Sequence, residues 1–330
     1  MSTFQQFFPG GSSSGGGGGG VPATTTVAEL LVVSGGMSGG CWCCMSMPGS
    51  GGPGGAVLMS SEWNFEQGCP YTVTVGAGGP ASSGSYYNAG GNSCIIGYNA
   101  PPTALVAHAS VKTDTAQGLR TYSPTHTVNG STYHYGTSHG TNTLMGPWYN
   151  YGSPLCFVVG GAAGGAGNPG CPSNGFANLY SSNCYCMAHL CRVPGGEGVG
   201  SNISGTMHYY GPGGHGWGNC LCGMAGGAAL GQEGGMWFDC SGEGMRRPTL
   251  SCSGCSGGSS TVYAACANFG AGGAGTCGNC GGCSAGGSGV VFIRYPTDYP
   301  AAAGVSGNTS TPAQPGYHVY RFNGSGSITF

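Results

Sequence analysis

Charge is what this sequence has least of. Its 330 residues include only 7 Lys and Arg and 9 Asp and Glu, 5% in all, for a net charge of -2. An ordinary domain carries about a quarter of its residues charged. So few cations cannot form the basic footprint that nucleic acid or an anionic membrane surface requires, so neither is expected as a partner. The acids Glu29, Glu62, Glu66, Asp114, Glu197, Glu233, Asp239, Glu243 and Asp298 are scattered and form no recognisable pair for general acid–base work. No helical HExxH is present, and no GxGxxG-like string opens a helix, so no phosphate loop is assigned. The reading is a protein without catalytic residues and without a cofactor. Long apolar runs are also missing, which excludes a helical membrane span, and MSTFQQFFPGG has neither the basic nor the apolar region of a secretory signal. The expectation is synthesis in a cytoplasm and release by another route.

Glycine and proline are abundant: 74 and 20 residues, a share at which disorder is the ordinary outcome. Two features oppose it. The chain lacks the charge repulsion of disordered segments, and 10% of it is aromatic. In GAGGAGTCGNCGGCSAGGSGVVFIRY, Gly272, Gly275, Gly278 and Gly281 recur at every third position, as do Cys277, Cys280 and Cys283. Three residues per turn is the period of polyproline II, which has no internal hydrogen bonds. Buried, such a segment must find partners for its N–H and C=O groups in neighbouring segments, and glycine alone lets backbones approach that closely. The same step recurs at Gly49/Gly52/Gly55, Gly161/Gly164/Gly167/Gly170, Gly195/Gly198, Gly211/Gly214 and Gly223/Gly226.

β-branched and aromatic runs mark strands at Val27–Val33, Ala56–Ser60, Tyr71–Val75, Cys94–Ile96, Ala104–Ala107, Leu155–Val159 and Val290–Tyr295. Near the end, Tyr317–Phe322 and Ser327–Phe330 flank Asn323-Gly324-Ser325-Gly326, which predicts a hairpin. The fold class is all-β and irregular: a glycine-rich lattice of packed polyproline II-like segments framed by short strands, with almost no helix. Three regions follow. Residues 1–26 form an aromatic hook and a Gly/Ser tether, residues 27–296 the glycine-rich domain, and residues 297–330 a linker with the C-terminal hairpin.

Nineteen cysteines are an odd number, so at least one is unpaired within a monomer. Most are read as small buried residues in place of Ala, Ser or Gly. Cys252-x-x-Cys255 and Cys277-x-x-Cys280-x-x-Cys283 have the spacing of zinc or iron–sulfur ligands. A three-residue period generates CxxC wherever one edge of a rod carries cysteine, however, and no metal is assigned.

From about 112 to 151 glycine thins out and aromatics crowd in, which reads as a loop insertion on the scaffold. Its candidate binding residues are Tyr133, His134, Tyr135, His139, Trp148, Tyr149 and Tyr151, in a surface suited to sugar rings and uncharged partners; a small satellite core of tyrosines is the alternative. Phe4, Phe7 and Phe8 are candidate anchors for a groove on a partner.

AELLVVSGG, YTVTVGAGG, GGSGVVFIRYP and the closing GYHVYRFNGSGSITF together resemble the glycine-rich domain of tailed-phage virion proteins, particularly tail-fibre and receptor-binding proteins of cyanophages and other marine phages. The resemblance spans about Val27 to Phe330 in layout and is specific at those four stretches. In the centre Cys, Tyr, Met and Trp occupy positions that such proteins give to Gly, Ser or Asn. The resemblance implies a non-enzymatic virion protein on the particle exterior, made in the host cytoplasm. It would be a tail-fibre or host-recognition component that binds a host surface glycan or protein, joins other virion proteins through the N-terminal hook and assembles in several copies. A capsid or tail decoration or filament-forming protein is the alternative, and a cysteine-rich metal-binding module a third reading.

Overall fold

The computed structural model describes residues 25–39, 52–81, 88–97, 104–109, 198–214, 265–273 and 285–330 with their side chains, and several short strands between them by backbone alone. Among these residues every regular element is a strand. Twelve strands carry the fold: β1 (Thr25–Val33), β2 (Val57–Glu66), β3 (Pro70–Thr74), β4 (Ser93–Gly97), β5 (Ala104–Ala107), β6 (Thr125–Val128), β7 (Ser131–His134), β8 (Val199–Ser201), β9 (His208–Tyr210), β10 (Val290–Pro296), β11 (Gly304–Ser310) and β12 (Tyr317–Thr329). Ten of them form one antiparallel sheet in the order β7–β6–β5–β4–β3–β12–β10–β1–β2, with β11 along the other edge of β12.

The sheet turns a corner at β12. Tyr317–Phe322 pairs with β10, whereas Gly326–Thr329 pairs with β3, so one strand joins the two halves of the sheet. Between these halves Asn323, Gly324 and Ser325 are surplus residues opposite Asn308 of β11, where the register shifts. Such a bulge bends a strand and sharpens its twist. Gly307, beside the shift, takes φ +95°, a left-handed conformation that glycine adopts without steric cost. The hairpin predicted from Asn-Gly is therefore corrected: Tyr317–Thr329 is one continuous strand, and its hairpin partner is β11, inside the stretch read as a linker. Asn-Gly signals a turn when nothing else competes; here two neighbours on the opposite edge and one along β11 supply ladder bonds on both sides of it.

The two halves close on one another. Leu30, Val32, Leu58, Val291, Ile293 and Phe322 from one half meet Tyr71, Val73, Ile95, Leu105, Ile328 and Phe330 from the other in a single buried cluster. Fully burying a side chain of this size contributes roughly 1.5–3 kcal/mol. Phe65 stacks on Phe330, with ring centroids 4.3 Å apart. The first half has a second apolar face, where Leu31, Val33, Val290, Phe292 and Val319 lie beneath Ile203 and Tyr210 of the β8–β9 hairpin. Burial on both faces explains why ELLVV and VVFIRY are continuous apolar runs rather than alternating ones.

At the margin of that second face Arg294, 8% exposed, donates from Nη1 to the Asn202 carbonyl (3.1 Å) and pairs through Nη2 with Glu29. Its guanidinium also lies 5.0 Å from the ring centre of Tyr317. One side chain thus ties the covering hairpin to β1 and β10.

Burial pushes the Tyr210 hydroxyl up to about 12, the nearby charge of Arg321 opposing only in part, and burial moves Tyr295 in the same direction. A raised native value means that the folded state holds its proton more tightly than the unfolded one. The resulting stability is complete below pH 10 and is lost as pH rises from 10 towards 12. The tyrosines should therefore add no slope to the denaturant midpoint below pH 10 and a fall above it, with Tyr210 accounting for about 2–3 kcal/mol at the limit. A midpoint unchanged to pH 12 would contradict the buried placement.

Candidate functional site

Where the strands end, the chain does not turn back but continues as glycine-rich rods. β1 runs into Ser34–Ser38 and β3 into residues 76–79; residues 52–56, 88–91 and 285–289 lead into β2, β4 and β10; residues 211–214 follow β9, and 270–273 form the seventh rod. Their hydrogen bonds repeat with the three-residue period. Ser34 and Met37 donate from their backbone N–H groups to Ala56 and Pro53, Gly35 and Ser38 to Gly91 and Asn88, and Gly36 to Gly287. Each successive residue faces another neighbour, and the fourth returns to the first. Gly286 and Gly289 likewise donate to Gly79 and Gly76, and Gly52 and Gly55 to Gly273 and Gly270. This is the recurrence of polyproline II rods in a close-packed bundle.

The rods leave no room for side chains between them. A Cβ on Gly36 would lie 2.5 Å from the backbone carbon of Ala271, and one on Gly54 equally close to that of Gly211. The residues that are not glycine have particular work. Ser34 Oγ accepts from Ala56 N (2.8 Å) and donates to the His108 carbonyl, and Ser38 Oγ accepts from Asn88 N (2.7 Å). Ser93 Oγ accepts from Gly76 N (2.9 Å) and donates to the Val33 carbonyl (2.6 Å). Both Ser34 and Ser93 are fully buried, at the junction where ladder bonds stop and rod bonds begin. Sequence reasoning passed over these serines. The signal was their place at strand ends, in VVS and NSC.

The bond pattern also orders the rods end to end. Ser34, Ala56, Gly76, Gly91, Gly211, Gly270 and Gly289 lie at the strand side, while Ser38, Gly52, Gly79, Asn88, Gly214, Gly273 and Gly286 interconnect at the other. The described residues that border 40–51, 82–87, 215–264 and 274–284 therefore stand at that far end. The bundle is a platform whose outlets lie together, opposite the sandwich. At this end Cys41–Trp42 and Thr276–Cys277 pair as parallel strands.

The sequence-predicted binding residues fall elsewhere. Tyr133 and His134 belong to β7, where their register partners are His126 and Thr125. Part of the segment read as a loop insertion thereby extends the sheet. Tyr135, His139, Trp148, Tyr149 and Tyr151 lie outside the described residues, as do Phe4, Phe7 and Phe8 and the Leu155–Val159 run. Of the cysteines, Cys69 and Cys94 are free thiols and Cys266 is disulfide-bonded. Burial, reinforced by Glu66, pushes the Cys69 thiol up and away from the reactive thiolate. Burial also holds the His108 imidazole below its ordinary value. Among the described residues no group of three or more His, Cys, Asp and Glu side chains could hold a metal ion, and no helix is long and apolar enough to cross a membrane. What the arrangement offers is rigidity and collected outlets.

A family model described as a glycine-rich domain matches residues 20–296. No curated protein and no solved structure matches the chain.

Proposed function

Because this chain belongs to the glycine-rich domain family over residues 20–296, we propose that it is a non-enzymatic structural protein of a phage particle, a tail-fibre or host-recognition component. The observation that carries the reading is the bundle itself. Seven rods bonded rod to rod gather four chain excursions at one end, on a support that loses little further entropy when a partner binds. Loops on a rigid scaffold are where recognition concentrates. The virion setting rests on the resemblance of the four framework stretches to tailed-phage proteins. The aromatic segment 112–151 remains the proposed contact for an uncharged surface such as a glycan. Phe4, Phe7 and Phe8 are proposed to join neighbouring virion proteins.

The test is competition and location. Purified chain at micromolar concentration should reduce adsorption of particles that carry it at least tenfold, and antibody raised against the chain should label the tail. Labelling of the capsid, with adsorption undiminished in particles lacking the chain, would reject host recognition and leave the decoration or filament-forming reading.

A further inference from the structure

The rod 270–273 is entered through a tight turn, and the turn begins at a covalent bond. Cys266 is disulfide-bonded, and because Cys69 and Cys94 are free thiols its partner is one of the cysteines outside the described residues. Asn268 takes φ 65°, the one left-handed non-glycine residue among those described, and Gly270 takes the same angle. Ser288 Oγ accepts from Asn268 N (2.9 Å), and the Ser288 carbonyl accepts from Gly270 N. Ala265 N donates to the Ala285 carbonyl, and Gly211 N donates to that of Phe269 (2.6 Å). The Phe269 ring stacks on Tyr210, centroids 5.5 Å apart, at the margin of the outer apolar cluster.

The turn buries little of its own. Ala267 is exposed and Cys266, Asn268 and Phe269 are half-buried, so water competes for the Asn268–Ser288 bonds, whereas residues 270–273 are buried among the backbones of other rods. A segment with few buried contacts opens at far lower cost than the fold as a whole. A crosslink at its entry then decides how often it opens. We propose that the Cys266 disulfide is a redox lock on this turn. Closed, it holds Phe269 over Tyr210. Opened, it releases residues 265–269 and uncovers that margin of the outer cluster, while the rods and the sandwich stay folded. In closing, two thiols give up two protons and two electrons to a small-molecule disulfide such as oxidised glutathione, which leaves as two thiols, and excess thiol reverses the exchange. The half-buried position of Cys266 leaves it within reach of such a reagent. A chain made where thiols stay reduced would close the lock only on reaching oxidising surroundings. The lock does not rest on the virion reading, since it concerns the chain's own fold.

The experiment is hydrogen exchange of the full chain, purified in oxidised glutathione, before and after a phosphine reductant, with peptide mass spectrometry of an unreduced digest to show the bond. Reduction should quicken exchange at the Gly211 and Ala265 amides by about tenfold or more, and leave Val291 and Ile293 of β10 unchanged. Returning the chain to oxidised glutathione should restore slow exchange. Cys266→Ser should exchange like the reduced wild type under both conditions, and Cys94→Ser should respond to the reductant as the wild type does. Exchange at Gly211 that ignores the reductant would overturn the proposal, a result that needs no variant to fold. So would a free Cys266 thiol in the oxidised chain, a Cys266→Ser chain that still responds, or reduction that quickens β10 equally, which would make the bond a global staple and not a lock on the turn.

Discussion

Gly272→Ala should leave no folded protein, while Gly304→Ala should be almost silent. The added methyl at position 272 would overlap the Gly52 carbonyl oxygen and lie 2.7 Å from its carbon and 2.8 Å from the Gly214 nitrogen. All three atoms are backbone of two neighbouring rods, so no side chain can swing aside. Gly272 N itself donates to the Pro212 carbonyl, and Gly52 and Gly214 are bonded to one another. Separating the rods to admit one methyl would therefore break several buried hydrogen bonds together. Each broken bond leaves groups costing about 1–3 kcal/mol, against a total stability on the order of 5–15 kcal/mol. At Gly304 nothing lies within 4 Å of the added Cβ, and the backbone does not need a positive φ. Alanine there should change stability by less than about 1 kcal/mol, in the stabilising direction through the unfolded chain. Soluble yield and the denaturant midpoint read the contrast directly. Equal midpoints for the two variants would mean that the rods do not pack as described.

Ser93→Ala is the second large effect. Its hydroxyl serves the Gly76 N–H and the Val33 carbonyl at once, and the residue is fully buried. Alanine fits the space but orphans a donor and an acceptor where water cannot reach them. The expected loss is about 2–6 kcal/mol, the sum of two unsatisfied groups. Ser306→Ala is the control. Its hydroxyl bonds Ser327 at 2.8 Å on the exposed surface, where water replaces the lost partner. The control should shift the midpoint by less than about 0.5 kcal/mol. Hydrogen exchange at the Gly76 amide should quicken in Ser93→Ala before global unfolding. If instead both variants shift equally, Ser93 is not the coupling between strand and rod.

Much of the framework was legible because its signals are local. β1, β4, β5 and β10 fall within two residues of the runs Val27–Val33, Cys94–Ile96, Ala104–Ala107 and Val290–Tyr295, since a β-branched run states its preference without its neighbours. β2 runs on to Glu66, well past the expected Ser60, because pairing with Thr25–Ala28 of β1 holds the polar stretch SEWNFE in line. The C-terminal strand was misread as a hairpin for the same kind of reason in reverse. Asn-Gly is a strong turn signal in isolation, and only the three neighbours of β12 make an extended bulge the better solution. As for the site, the bundle was foreseeable and its couplers were not. A serine at a strand end reads as a cap or a solvated residue until the rod it bonds has been placed.

By itself the chain determined that rods with a three-residue period would form and that apolar strands would frame them. Periodicity and β-branching act over a few bonds of backbone, and both are written in the order of the residues. Only the tertiary structure decided which rod lies beside which and that their outlets share one end. One glycine N–H is chemically the same as the next, so nothing in Gly36 names Gly287 as its acceptor. That choice is imposed when the strands feeding each rod pack into the sandwich and bring the two backbones within reach.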